Sequence, residues 1–141
     1  MPAFRFRHQL TVRFRDCDLF GHVNNAVYFT YMEEARSAYW RALTGDFPYG
    51  RQPGVILARA ECDYIRPLTP GDQIEIWLGT TKIGRSSMII DCEMLDRTGA
   101  AVAKGRVVMV AYDHTAGKPV AVPDWARARI EEYEGRQLSR S

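Results

Sequence analysis

The spacing of apolar residues changes along the chain, and the change predicts two kinds of element. Residues 8–15 alternate apolar and polar side chains, which is typical of a half-buried strand. Residues 26–43 instead repeat apolar side chains every three or four positions, which predicts an amphipathic helix of about five turns. The apolar stripe of this helix consists of Tyr28, Tyr31, Met32, Ala35, Ala38, Tyr39 and Ala42. Asn24 or Asn25 can cap its start.

The second half of the chain has the pattern of strands. Apolar segments with many β-branched residues are separated by short turns that contain Gly, Pro or Asp. The predicted strands are residues 55–66, 73–82, 86–95 and 101–112. Short connections favour an antiparallel meander, in which each strand pairs with the next. The acidic first turn of residues 123–130 predicts a short helix. We therefore predict an α+β fold, a single domain over residues 1–141 with one long helix packed on a sheet.

Composition limits the partners and the compartment. The 141 residues carry 19 basic and 17 acidic side chains, a net charge of +2, so no overall field is available to recruit nucleic acid. The sequence has no apolar run of about eighteen residues and no signal-peptide core, which argues against a membrane and predicts a cytoplasmic protein. The cysteines, Cys17, Cys62 and Cys92, are odd in number and far apart, as expected in a reducing compartment.

Residues 15–25, RDCDLFGHVNN, concentrate polar side chains between the predicted strand and the predicted helix. A metal site is disfavoured, because the His and Cys residues lack the spacing of metal ligands. A nucleophilic Cys17 is also disfavoured, since the flanking Asp16 and Asp18 raise the pKa of its thiol. Two interpretations stay open: an aspartate that only shapes the turn, or a carboxylate that performs catalysis beside the helix.

The catalytic interpretation depends on the start of the helix. The first N–H groups of a helix have no partner within it and carry a partial positive charge, so they can stabilise an oxyanion on a carbonyl substrate. A carboxylate held next to them could attack that carbonyl or take a proton from water. His22 either lines such a site or only hydrogen-bonds the turn.

Residues 82–87, KIGRSS, form a second polar cluster, which we call the basic turn. It is either a solvated hairpin tip or a cradle for phosphate groups, in which Lys82 and Arg85 supply charge and the serines supply hydroxyl groups. The pattern GxxxxGK[ST] is absent, so a nucleoside triphosphatase is not indicated. Residues 64–68, YIRPL, end a strand at a proline and have no chemical meaning by themselves.

In combination, these segments resemble the hotdog-fold acyl-CoA thioesterases of the 4-hydroxybenzoyl-CoA thioesterase family. The resemblance rests on residues 16–25, the helix that follows, residues 63–72 and the basic turn, in that order. It implies a hotdog fold, in which a long central helix packs on a curved antiparallel sheet of about five strands. It also implies a homodimer paired through edge strands, and often a homotetramer that is a dimer of such dimers.

The resemblance also assigns roles to individual residues. Asp18 takes the position of the catalytic aspartate and the backbone N–H of Asn25 that of the oxyanion donor, whereas Asp16 is expected to be structural. The residues expected to bind the substrate are Gly21, His22, Asn24 and Tyr28. The residues expected to bind coenzyme A are Lys82, Gly84, Arg85 and Ser86. Arg59 and Arg66 are further candidates, and their role depends on which way their strand faces.

The implied activity is hydrolysis of an acyl-CoA thioester to a carboxylic acid and coenzyme A, without a metal ion or a redox cofactor. The alternative is a non-catalytic hotdog module that binds acyl-CoA as a sensor or scaffold. A hotdog dehydratase or hydratase would need a histidine on the long helix, and residues 26–43 contain none.

Overall fold

The structure, a computed structural model, describes residues 4–45 and 54–139. These residues form an α+β fold, and its elements follow in chain order. They are β1 (Phe6–Thr11), α1 (Asn25–Thr44), β2 (Gly54–Tyr64), β3 (Gln73–Ile83), β4 (Ser87–Leu95), β5 (Ala101–Asp113), β6 (Lys118–Pro119) and α2 (Asp124–Glu134). The predicted helices and long strands are confirmed, and α2 continues past the predicted end at residue 130. Neither of these two helices has the length and apolar character that a membrane span requires.

The sheet is antiparallel, with the order β1-β3-β4-β5-β2, and the short β6 pairs with the end of β5. The predicted meander is confirmed for β3, β4 and β5 but is wrong for β2, which pairs with β5 and not with β3. The reason is the connection of residues 65–72, which is too long for a tight hairpin and contains two prolines. Its residue Leu68 is buried, and its carbonyl accepts the N–H of Val23 at 2.9 Å. The connection therefore passes beside the loop that precedes α1, and β1 and β2 become the two edges of the described sheet.

Helix α1 crosses one face of this sheet. Its buried side chains are Tyr28, Tyr31, Met32, Ala35, Tyr39 and Leu43. Most of the predicted apolar stripe is thus confirmed, whereas Ala42 is exposed. On β3 the predicted inward residues Ile74, Ile76 and Leu78 are all buried. The core lies between the helix and the sheet, so the position of the helix start is fixed by packing along the whole helix.

Strand β1 is shorter than the predicted strand over residues 8–15, because the chain turns after Thr11. Residues Phe14–Asp16 form a single 3-10 turn. The carboxylate of Asp16 accepts a hydrogen bond from the backbone N–H of Arg13 at 3.0 Å, which closes this turn. Phe14 consequently points away from the core and is 85% exposed.

The two ends of the sheet carry different loops. Thr11 at the end of β1 lies opposite Gln73 at the start of β3, and the end of β2 lies at this same end, which we call the helix-start end. The basic turn connects β3 to β4 at the opposite end. At about 3.3 Å per residue, the length of β3 separates the two ends by roughly 30 Å.

Candidate active site

The loop before α1 is folded tightly around Asp18. Cys17 and Val23 form an antiparallel bridge, and the backbone N–H of Asp18 donates to the carbonyl of His22 at 2.8 Å. The backbone N–H of Gly21 donates to the carbonyl of Asp18 at 3.0 Å. Gly21 has a φ of +80°, a left-handed conformation that glycine adopts without strain. The loop therefore closes on itself and holds Asp18 at its base.

Hydrogen bonds orient one oxygen of the Asp18 carboxylate. Its Oδ1 accepts the backbone N–H of Phe20 at 2.9 Å and, at a longer 3.4 Å, the backbone N–H of His22. Within residues 4–45 and 54–139, nothing donates a hydrogen bond to Oδ2. The hydrogen bonds to Oδ1 fix the orientation of the whole carboxylate. Because Asp18 is exposed, its Oδ2 is open to a substrate or to water.

Asp16 has a different environment from Asp18. It is 5% exposed, and its Oδ2 accepts the hydroxyl of Tyr31 at 2.6 Å and the backbone N–H of Arg13 at 3.0 Å. Burial alone would raise the pKa of Asp16, but the hydrogen bonds from Tyr31 and Arg13 outweigh it and hold this pKa below its usual value. All of its contacts are to protein groups, which agrees with the structural role expected for it.

The start of α1 presents a backbone N–H, that of Asn25, for which the described residues offer no acceptor. Asn24 caps the helix, because its side-chain Oδ1 accepts the N–H of Ala26 at 2.9 Å and its carbonyl accepts the N–H of Val27 at 2.9 Å. The N–H of Asn25 has no acceptor among the described residues. It lies at the positive end of the helix dipole, where a backbone donor stabilises negative charge best.

A surface cavity of about 380 Å³ joins these groups. It is lined by Asp18, His22, Val23, Asn25, Tyr28, Tyr64, Ile65, Arg66 and Pro67. Most of the predicted catalytic and substrate-binding residues therefore meet in one place, while Gly21 and Asn24 shape the loop and cap the helix beside it. A larger groove of about 600 Å³ lies along β1, β3 and the β4–β5 turn and includes none of the predicted site residues.

Tyr64 is a lining residue that the sequence did not single out as functional. It ends β2, and its hydroxyl donates to the backbone carbonyl of Asn25 at 2.8 Å. Its ring stands edge-on to Tyr28, with ring centroids 4.9 Å apart. No local sequence signal marks this role, because it depends on where the end of β2 meets the start of α1.

The basic turn lies at the other end of the protomer from this cavity. Gly84 and Ser87 close it through a backbone hydrogen bond of 2.8 Å. The guanidinium of Arg127 on α2 donates to the carbonyls of Gly84 and Arg85, at 2.5 and 3.0 Å, and so ties the backbone of the turn to α2. Lys82 and Ser86 are only partly exposed, and Arg85 is exposed. A single protomer therefore does not bring the expected coenzyme A residues of this turn next to Asp18.

The two further coenzyme A candidates differ in location. Arg66 lines the cavity, and its guanidinium lies 3.6 Å from the carboxylate of Asp96. Arg59 is an exposed residue of the edge strand β2, opposite Val108 on β5, and does not line the cavity. Only Arg66 is thus next to the proposed reacting groups within one protomer.

The thiol in this loop is not activated. Burial, together with the carboxylates of Asp16 and Asp18, raises the pKa of Cys17, so the nucleophilic thiolate is disfavoured. In the described part of the chain, no group of three or more His, Cys, Asp or Glu side chains could hold a metal ion. Among the groups that line this cavity, the Asp18 carboxylate and the helix start at Asn25 are those that the sequence resemblance predicts to be catalytic.

A long helix that crosses one face of an antiparallel sheet is the hotdog fold of the thioester hydrolases that the sequence resembles. Comparison with known families makes the same assignment independently. Residues 12–130 match the thioesterase-like superfamily, and the chain belongs to this family. The family resemblance, the hotdog fold and the class of enzyme predicted from the sequence are thereby confirmed.

Individual relatives cover nearly the same length of chain. YsmA from Bacillus subtilis is 33% identical over 122 residues, which is 86% of this chain and 82% of that protein. The 1,4-dihydroxy-2-naphthoyl-CoA hydrolase from Synechococcus is 32% identical over 122 residues, 81% of each chain. The crystal structure of a thioesterase from Thermus thermophilus, complexed with coenzyme A and Zn, superposes with a TM-score of 0.87 at 38% identity and covers 98% of this chain and 100% of that chain.

Proposed function

We propose that this thioesterase hydrolyses acyl-CoA to a carboxylic acid and coenzyme A, with Asp18 as its catalytic carboxylate and the N–H of Asn25 as its oxyanion donor. One observation carries the proposal. A carboxylate oxygen without a protein donor and a helix-start N–H without a protein acceptor, among the residues that the structure describes, line the same cavity. A thioester whose carbonyl oxygen accepted the Asn25 N–H would be polarised next to Asp18.

Two routes fit this pair of groups. In the first, Asp18 attacks the thioester carbon, the thiolate of coenzyme A leaves, and water hydrolyses the mixed anhydride to release the acid and restore the carboxylate. In the second, Asp18 takes a proton from a water molecule that attacks the same carbon, the tetrahedral intermediate expels the thiolate, and the thiolate takes up the proton that Asp18 holds, which restores the carboxylate. Negative charge develops on the carbonyl oxygen in both routes, so the Asn25 N–H assists either one. We propose neither a metal ion nor a redox cofactor, because these two groups supply both the attack and the electrophilic assistance.

Coenzyme A recognition through the basic turn needs a second copy of the chain. Strand β2 is an edge strand whose Leu57 is 49% exposed, and an unpaired edge is a template for pairing. Antiparallel pairing of two β2 strands would place the start of one β2 beside the end of the other. The basic turn of the second copy would then lie at the helix-start end of the first. This homodimer is part of the proposal, as is its assembly into a dimer of dimers.

Related proteins support acyl-CoA as the substrate class. The Thermus thermophilus thioesterase carries coenzyme A in its structure, and the Synechococcus relative is named for an aromatic acyl-CoA. Arg66 adds a cation at the rim of the cavity, where it could meet a phosphate group of coenzyme A. The acyl group itself is left to experiment, since the lining offers both aromatic and aliphatic side chains.

The test measures release of coenzyme A with a thiol-reactive dye, using short, medium, long and aromatic acyl-CoAs. Asp18→Asn keeps the shape of the side chain but removes the basic carboxylate, so we expect kcat to fall by about 10²- to 10⁴-fold. Asp63→Asn is the matched control, because Asp63 is an exposed carboxylate at the end of β2 that does not line the cavity. A folded Asp18→Asn variant that keeps most of the activity would refute the assignment. Tight acyl-CoA binding without hydrolysis across the whole panel would favour the sensor or scaffold alternative.

A further inference from the structure

The start of α1 is held from two sides. On the loop side, the backbone N–H of Asn24 donates to the carbonyl of Asp16 at 3.0 Å, and the Asn24 side chain caps the helix. On the sheet side, the hydroxyl of Tyr64 donates to the carbonyl of Asn25 at 2.8 Å. Tyr64 lies 39 residues away in the sequence, at the end of the edge strand β2. The residue that carries the oxyanion donor is therefore tied to the sheet by one side chain.

The hydrogen bond from Tyr64 is not needed to satisfy the helix. Carbonyl groups in the first turn of a helix already accept N–H groups one turn later, and only its first N–H groups lack partners. A second donor on the carbonyl of Asn25 consequently adds little to helix formation. What it adds is a fixed distance between the first helical residue and the end of β2.

The aromatic ring of Tyr64 reinforces the same contact. It stands edge-on to Tyr28, at an interplanar angle of 87°. Tyr28 is buried in the core, and its hydroxyl donates to the carbonyl of Arg66 at 3.4 Å. Tyr64 thus contacts the start of α1 at two residues. Its hydroxyl contacts Asn25, and its ring contacts Tyr28, three residues further along the helix.

We propose that Tyr64 is a positioning residue that sets the place of the Asn25 N–H relative to Asp18. The inference rests on the proposed function, in which this N–H stabilises the oxyanion. Tyr64 does so through the backbone of Asn25, and its own hydroxyl takes no part in proton transfer. Burial and the neighbouring Cys62 raise the pKa of Tyr64, which keeps its hydroxyl protonated as a donor across the working pH range.

The first experiment compares Tyr64→Phe with the wild type in the dye assay. The variant keeps the ring against Tyr28 and loses only the donor to Asn25. A displaced oxyanion donor weakens the transition state more than substrate binding, so we expect kcat to fall by roughly 10- to 100-fold with little change in KM. Tyr133→Phe is the matched control, since the hydroxyl of Tyr133 makes no hydrogen bond in the described part of the chain.

The second experiment does not depend on catalysis. Backbone amide NMR spectra of the two proteins compare the signals of Asn25 and Ala26, both of which we expect to shift in Tyr64→Phe. The Ala26 N–H, which donates to the cap side chain of Asn24, should also exchange faster with solvent. An unchanged kcat would overturn the proposal, and so would a lower kcat with unmoved Asn25 signals. If the wild type hydrolyses no acyl-CoA, the proposed function fails, whereas the positioning role is still decided by the NMR spectra. Shifted signals would then support that role, and unmoved signals would refute it.

Discussion

Replacing Tyr31 by Phe removes one hydroxyl from the contact between α1 and the loop that carries Asp18. That hydroxyl donates to Oδ2 of Asp16 at 2.6 Å, in an environment where Asp16 is only 5% exposed. A hydrogen bond to a buried charged group contributes about 1.5–3 kcal/mol, and its loss leaves a charge with fewer partners. We expect the free energy of unfolding at pH 7 to fall by about 1.5–3 kcal/mol.

The decrease in the free energy of unfolding caused by Tyr31→Phe should be larger at neutral pH than at acidic pH. The pKa of Asp16 in the folded protein is lowered from its ordinary value of 3.8, so the ionised group contributes stability above that value. This contribution disappears as the pH falls through the folded pKa, because the carboxyl is then protonated in both the folded and the unfolded chain. The destabilisation caused by Tyr31→Phe should accordingly be full at pH 7 and shrink below about pH 4, toward the value of a neutral hydrogen bond.

Urea unfolding at fixed protein concentration, followed by circular dichroism at pH 7 and pH 2.5, measures both quantities. Tyr133→Phe serves as the control and should change the free energy of unfolding by less than about 0.5 kcal/mol. An equal loss for Tyr31→Phe at the two pH values would refute the reasoning, because it would mean that the charge of Asp16 does not matter. A loss below about 0.5 kcal/mol at pH 7 would refute it as well.

Two further predictions concern the same helix. Asn24→Ala removes the cap of α1 and should lower the free energy of unfolding by about 1 kcal/mol in urea, together with kcat in the dye assay, whereas Asn24→Asp should keep the stability. Gly105→Ala should cost about 1–3 kcal/mol in the same unfolding assay, because an added Cβ on β5 would meet the sulfur atoms of Met32 and Cys92. An unchanged unfolding midpoint for Gly105→Ala would mean that α1 can move away from the sheet at no cost.

The sequence predicts the elements of this fold better than their pairing. Periodicity locates α1 within one residue at each end, since a long apolar stripe allows only one helical face to be buried. It also locates the long strands, but pairing depends on the connections between them. Residues 65–72 look like a turn between neighbours, yet they cross beside the start of α1 and leave β2 to pair with β5. The course of residues 65–72 depends on tertiary contacts, such as the hydrogen bond from the N–H of Val23 to the carbonyl of Leu68. No local sequence pattern encodes these contacts.

The residues of the candidate site likewise divide into those that the sequence brings together and those that depend on strand pairing. Asp18 and Asn25 lie close in sequence, so a loop followed by a helix start suffices to predict that they are neighbours. Tyr64, Ile65 and Arg66 enter the cavity from the end of β2, and their proximity depends on the sheet order that the sequence did not predict. The basic turn was expected to belong to the same site, but the length of β3 places it at the other end of the protomer. Its participation therefore depends on a second copy, which intramolecular patterns do not describe.

The two aspartates of the loop illustrate why burial, and not residue type, assigns their roles. In a regular strand Asp16 and Asp18 would point to the same face, because side chains alternate with a period of two. The 3-10 turn over Phe14–Asp16 breaks this alternation and points Asp16 inward to Tyr31. Asp18 follows the turn, keeps its Oδ2 without a donor from the described protein and lines the cavity with Asn25. A carboxylate saturated by buried donors is a poor base, since its lone pairs are occupied and its pKa is lowered. These contacts support a structural role for Asp16 at the start of α1, and they support the proposal that Asp18 is the catalytic carboxylate.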